Sequence, residues 1–216
     1  MRLAAKWLVL YTLAGLALGY ILGVRSAQID AAVAALKPAP DPRQQLRAYY
    51  KSCGDCVNFK IMDEAIYHTE GAAVLLCVED ELDTMLSMWV TESHFDPKVS
   101  DEKLVGYKNR SVGISQTKRK YFKRLYAEWL KRGVKLGPFS EIKTQVYFGV
   151  MEYRDFLGYT RGDVKEAVRA YNGGGRGGPG LVKARRYSDK VMKRRGLIFG
   201  RHYVKGETTT LYKECR

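Results

Sequence analysis

A carboxylate at position 92 closes a long apolar helical pattern and is followed at once by the Asp96-Pro97 turn of TESHFDPKVS. In the segment before it, Val74, Val78, Leu82, Met85, Leu86 and Trp89 recur at three- and four-residue steps, the signature of one helix face. Glu92 is the next member of that series, whereas Glu79, Asp80, Glu81 and Asp83 fall at outward positions. Burial disfavours a charged carboxylate, so an acid placed there has a raised pKa and keeps its proton near neutrality, the state a general acid needs. The competing reading is a structural carboxylate satisfied in an ion pair at a helix end, because structural acids outnumber catalytic ones.

The elements that must position this acid follow from length, composition and periodicity. The chain has 216 residues, 46% of them apolar, with 15 Tyr, which is enough for one good core plus an appendage and excludes a disordered chain. Its formal net charge of +14 attracts polyanions or an anionic membrane face without saying which. After Arg2 and Lys6, residues 7–24 (WLVLYTLAGLALGYILGV) carry no charge and are long enough to cross a thin bilayer. We expect a signal-anchor over 1–26, its N-terminus cytoplasmic, with the body of the protein exported and anchored to the inner membrane. Cleavage ahead of Ala27 and secretion is the alternative. Gly15, Gly19 and Gly23 form a ridge that lets two such helices approach and self-associate.

A proline-containing linker over 27–45 then leads to a folded domain expected from Leu46. The four cysteines, Cys53, Cys56, Cys77 (on the expected Glu92 helix) and Cys215, point in an exported chain to two disulfides of open connectivity. A redox pair or half a zinc site is the other reading of Cys53-x-x-Cys56, but His68, His94 and His202 show no ligand spacing, so no metal is expected. Residues 101–113 read as a polar loop. Three helices follow: one with Tyr121, Phe122, Leu125, Trp129 and Leu130 on its apolar face and Gly133 at its end, one capped by Ser140 with Ile142, Val146, Val150, Tyr153 and Leu157, and a short one with Val164, Ala167, Val168 and Tyr171. No stretch alternates at period two, so the fold class is mainly α.

The ordered set ESHFDP, SVGISQ and AVRAYNGG resembles the signature of the soluble lytic transglycosylase catalytic domain, whose relatives include goose-type lysozyme. The resemblance covers residues 72–180 and implies a lysozyme-like helical domain over 46–180, with Glu92 as the sole catalytic carboxylate. It implies substrate-binding positions at Ser93, Ser100, Gly113, Gln116, Tyr147, Tyr171 and Asn172, Gln116 holding the sugar near the cut and Tyr171 supporting the acid. YFGVMEYRDFL is similar to the family's helix that carries a Gly and then Tyr-Leu. The departures are a shortened segment from Glu92 to Ser100, a longer loop before Ser111, and Ser115 where Met is common.

A glycosidase normally uses two carboxylates about 5 to 9 Å apart, and the motif supplies one. The resemblance therefore implies a lyase that cuts between N-acetylmuramic acid and N-acetylglucosamine in peptidoglycan and closes a 1,6-anhydro ring without a cofactor. Hydrolysis of the goose-type lysozyme kind, or a non-catalytic wall-binding module, are the alternatives. Local wall opening for a secretion, conjugation, pilus or phage machine is one setting, in the periplasm or on a virion. The run NGGGRGGPG lacks the strand and Lys-Ser/Thr helix of a phosphate cradle and reads as a flexible rim of the sugar groove. Residues 181–216 read as a basic extension packed on or flanking the domain, a solvated face that meets wall polymers or lipid rather than nucleic acid.

Overall fold

The computed structural model describes residues 40–54, 57–99, 111–173 and 181–208. The candidate membrane span at 7–24 with Gly15, Gly19 and Gly23, the residues Cys56, Ser100 and Cys215, the loop 101–110 and the glycines 174–180 lie outside them. Among the described residues no helix is long and apolar enough to cross a membrane. They form a mainly helical unit that begins at Asp41.

Helix α1 (Pro42–Cys53) starts where the linker was expected to continue. The Asp41 side chain accepts the Arg43 N–H at 2.9 Å, and Pro42, which has no N–H to leave unpaired, sits in the first turn. Helix α2 (Phe59–Leu76) is capped by Asn58, whose side-chain oxygen accepts from the N–H groups of Lys60 and Ile61. It stops at Cys77, which takes a left-handed conformation (φ 50°) while Val78 N–H closes back onto Ala73 O at 3.0 Å. The apolar stripe from Val74 to Glu92 is therefore two helices and a turn, not one helix. Cys77 lies outside the Glu92 helix and Val74 is exposed. A 3₁₀ turn over Glu79–Glu81 leads into α3 (Leu82–Glu92).

Of the expected outward acids, Glu79 and Asp80 are exposed, but Glu81 and Asp83 are not. Glu81 is buried and accepts from Thr84 Oγ1 at 2.8 Å and Tyr153 Oη at 3.4 Å. Arg195, with no exposed surface, reaches the same Thr84 hydroxyl at 3.0 Å and makes two bonds to Glu207 at 2.7 and 2.9 Å. Asp83 is largely covered beside Arg201. Burial pushes both acidic groups upward, and these arginines pull against it.

A small antiparallel hairpin, β1 (Ser111–Val112) and β2 (Thr117–Lys118), pairs Ser111 with Lys118 and Val112 with Thr117. Helix α4 (Phe122–Lys131) buries Leu125 and Trp129 but leaves Leu130, expected on its inner face, 65% exposed. Helix α5 (Ile142–Tyr159) runs through the core with Val146, Val150, Tyr153 and Leu157 buried, and Glu141 rather than Ser140 precedes it, with no side-chain cap. Helix α6 (Val164–Gly173) turns Val164, Ala167 and Val168 inward. Helix α7 (Leu181–Phe199) packs against α6, α3 and α1, and buries Ala184, Ser188, Val191, Met192 and Ile198. The segment from 181 thus supplies a wall of the core as well as charge.

Cys53 is a free, exposed thiol, so the pair of disulfides does not form; Cys77 is disulfide-bonded.

Candidate active site

Glu92 ends α3, and burial pushes its carboxyl up to about 7, against the opposing pull of a Tyr187 contact and the ammonium groups of Lys183 and Lys190. All three partners come from α7. Lys183, Tyr187, Lys190 and Arg194 follow one another along one edge of that helix, and Arg194 Nη1 donates to Val90 O at 3.3 Å, fixing this edge to the C-terminal turn of α3. Tyr187 Oη is buried and interacts with Glu92, yet it makes no hydrogen bond of normal geometry among the described residues. The contact is therefore longer or more bent than a standard bond.

The chain leaves Glu92 through two successive residues with left-handed backbone, His94 (φ 52°) and Phe95 (φ 61°), and Phe95 is buried. Gln116 (φ 51°) is a third. Such conformations are costly for side-chain-bearing residues and persist where surrounding contacts over-determine them. The contacts are here. Ser93 Oγ donates to Ile114 O at 2.9 Å, tying the end of α3 to the hairpin. Gly113 N–H donates to Val99 O at 2.9 Å, and Gln116 Nε2 donates to Val99 O at 3.1 Å and Gly113 O at 2.8 Å. Gly113 has φ 78°, and a Cβ there would come within 2.5 Å of Gln145 Oε1, which accepts from Ile114 N–H at 2.9 Å. Gln145 Nε2 in turn donates to Pro97 O at 3.3 Å. One buried amide from α5 thus clamps both segments that flank Glu92.

Gly149 on α5 admits the hairpin. A Cβ at that position would lie 2.3 Å from Ser115 Cβ and 2.6 Å from the Trp89 ring. Ser115 Oγ donates to Gln145 O at 2.8 Å and lies 2.9 Å from Thr117 Oγ1. Ser115, where the resemblance would place Met, thereby holds the hairpin to the central helix by polar contacts.

Tyr171, expected to hold the acid, instead donates its hydroxyl to Ser115 O at 2.5 Å, with its ring beside Trp89 and Phe156. Burial and the nearby Glu152 and Glu92 carboxyls push that hydroxyl well above its ordinary value. Tyr187 is the tyrosine whose hydroxyl interacts with the Glu92 carboxyl and pulls against its upward shift. A second acid was missed altogether: Glu152 on α5 is buried, and burial pushes its carboxyl up to about 7, with Thr117 as hydrogen-bond partner and Arg124 and Lys118 opposing the shift. Arg124 spends its ion pair on Asp155 at 2.7 Å. In the sequence Glu152 sits inside an apolar helix pattern, and a polar residue on a buried face was the one available signal.

Ser93, Gly113, Gln116 and Tyr171 are thus joined through the hairpin, Ser93 at Ile114 O, Gln116 at Gly113 O and Tyr171 at Ser115 O. Tyr147 packs between α2 and α4, beside His68 and Trp129 and beneath Lys143, and no described contact joins it to Glu92. Asn172 is half-buried in the last turn of α6. Among the described residues no group of His, Cys, Asp and Glu could hold a metal ion. No protein-family model matches the chain, and neither a curated protein nor a solved structure does.

Proposed function

We propose that this chain is a peptidoglycan lytic transglycosylase in which Glu92 is the general acid and then the base. The observation that carries the proposal is the Glu92 carboxyl, partly buried at the end of α3 and pushed up to about 7, which gives it a proton to deliver near neutrality and the capacity to take one back. The ordered motifs around it supply the substrate class. Protonation of the oxygen between N-acetylmuramic acid and N-acetylglucosamine breaks the glycosidic bond. Glu92, now a carboxylate, removes the proton of the muramic C6 hydroxyl, whose oxygen attacks C1 and closes the 1,6-anhydro ring. Both groups belong to one sugar, so proximity favours this route over attack by water.

Gln116 fits a sugar-binding role because its Nε2 is committed to two backbone carbonyls. Its Oε1 has no donor among the described residues and can accept from an N-acetyl N–H. Glu152 is a poor second carboxylate, since it is nearly enclosed and bonded to Thr117. On this reading residues 7–24 tether the domain to the inner membrane and hold it against the wall from the periplasmic side.

Mass spectrometry of fragments released from purified wall tests the proposal. Products ending in 1,6-anhydromuramic acid are expected. Reducing ends alone would make the protein a hydrolase, and a folded chain that releases nothing would remove the enzymatic reading.

A further inference from the structure

The edge of α7 that meets Glu92 holds more positive charge than the site's own chemistry uses. Lys183 and Lys190 lie about one helical turn to either side of Tyr187, both are exposed, and both act on the Glu92 carboxyl. No ion pair joins either lysine to a carboxylate among the described residues; the neighbouring Asp189 is bound to Lys165 at 2.6 Å. Arg194, the next basic group on this edge, is held by Val90 O, which fixes the helix in place. Arg186 and Lys193 continue the positive charge on the adjoining exposed ridge.

A proton donor gains nothing from two neighbouring cations, which favour its ionised form. Their cost is offset when an anion binds between them. We propose that Lys183 and Lys190 form an anion subsite beside Glu92 that receives carboxylates carried by the glycan substrate. This rests on the proposed wall substrate, whose strands bear carboxylates on the stem peptides or, where the peptide has been removed, on the muramic lactyl group. Occupation of the subsite neutralises the two ammonium groups in Glu92's surroundings, so the acid keeps its proton more firmly once an anionic strand is in place. Recognition of charge and readiness of the acid are thereby coupled through the same two lysines.

The test uses the full chain in detergent carrying Glu92→Gln, so that substrate survives, with and without Lys183→Gln and Lys190→Gln. Binding is measured to intact wall, to amidase-stripped glycan strands, to uncharged chitin and to anionic vesicles. The double lysine change should weaken wall binding about ten-fold at low salt, the scale of two exposed charge contacts, with the difference shrinking at high salt. Chitin binding should be unchanged, and Lys183→Arg with Lys190→Arg should restore wall binding. Amidase removes the stem peptide and frees the lactyl carboxylate that the peptide had blocked, so an effect that disappears on treatment assigns the stem-peptide carboxylates, and one that persists shows that the subsite also accepts the freed lactyl carboxylate. Equal loss on chitin, no loss on wall, no wall binding by the parent, or charge-dependent binding to vesicles alone would each overturn the subsite. Binding needs no turnover, so these outcomes stand apart from muropeptide release, which tests the enzyme itself.

Discussion

Replacing Glu92 by Gln should stabilise the folded chain above neutral pH while abolishing turnover. Burial moves the carboxyl from its ordinary 4.5 to about 7, so the folded protein holds this proton more tightly than the unfolded chain does. Stability contributed by the group is then greatest in acid, falls as pH rises from 4.5 to about 7, and levels off beyond. The full displacement corresponds to ~3 kcal/mol, and because the side chain is only partly buried, solvent screening lowers the expectation to ~2 kcal/mol. Gln occupies nearly the same volume and never ionises, so it escapes that penalty. Urea unfolding of parent and variant at about pH 5 and about pH 8 reads the difference as a shift in midpoint at constant slope. The variant should gain ~2 kcal/mol at the higher pH and little at the lower. A variant that is less stable at both, or a difference that ignores pH, would show that Glu92 is an ionised structural carboxylate and not a stored proton.

Tyr187→Phe removes a hydroxyl that helps the ionised form of Glu92, so the alkaline limb of the pH–rate profile should move upward; an unmoved limb would break the Tyr187–Glu92 link. Its cost in stability should be small, ~0.5 kcal/mol in thermal or urea unfolding, because the hydroxyl makes no normal hydrogen bond. Gly149→Ala forces a methyl group against Ser115 and Trp89 and should cost ~1–3 kcal/mol in the same assay, together with most of the activity, through displacement of the hairpin. Tyr171→Phe leaves the Ser115 carbonyl without its donor and should cost ~1–2 kcal/mol, with a fall in kcat and an unchanged pH profile, since the hydroxyl does not bond Glu92.

Local periodicity determined what depends on neighbours along the chain. The helical class, the inner faces of α5 and α6, and the position of Glu92 at the end of an apolar stripe were all legible, because side chains three and four apart share a helix face whatever lies opposite. The motif order singled out Gly113, Gln116 and Tyr171, which the fold joins through the hairpin. The two-residue strands were too short to display alternation. The break at Cys77 was hidden because a left-handed residue followed by Val78 keeps the apolar spacing while changing the direction of the chain. Glu81 read as a surface acid because nothing nearby in sequence announces Arg195, which reaches Thr84 from α7. Only tertiary structure decided that Tyr187 faces Glu92, that Tyr171 bonds a backbone carbonyl, and that Glu152 is closed in behind Thr117. Hydrogen-bond partners and desolvation are set by which helices become neighbours in space, and the basic run from 181 became part of the site because α7 packs its edge against the last turn of α3.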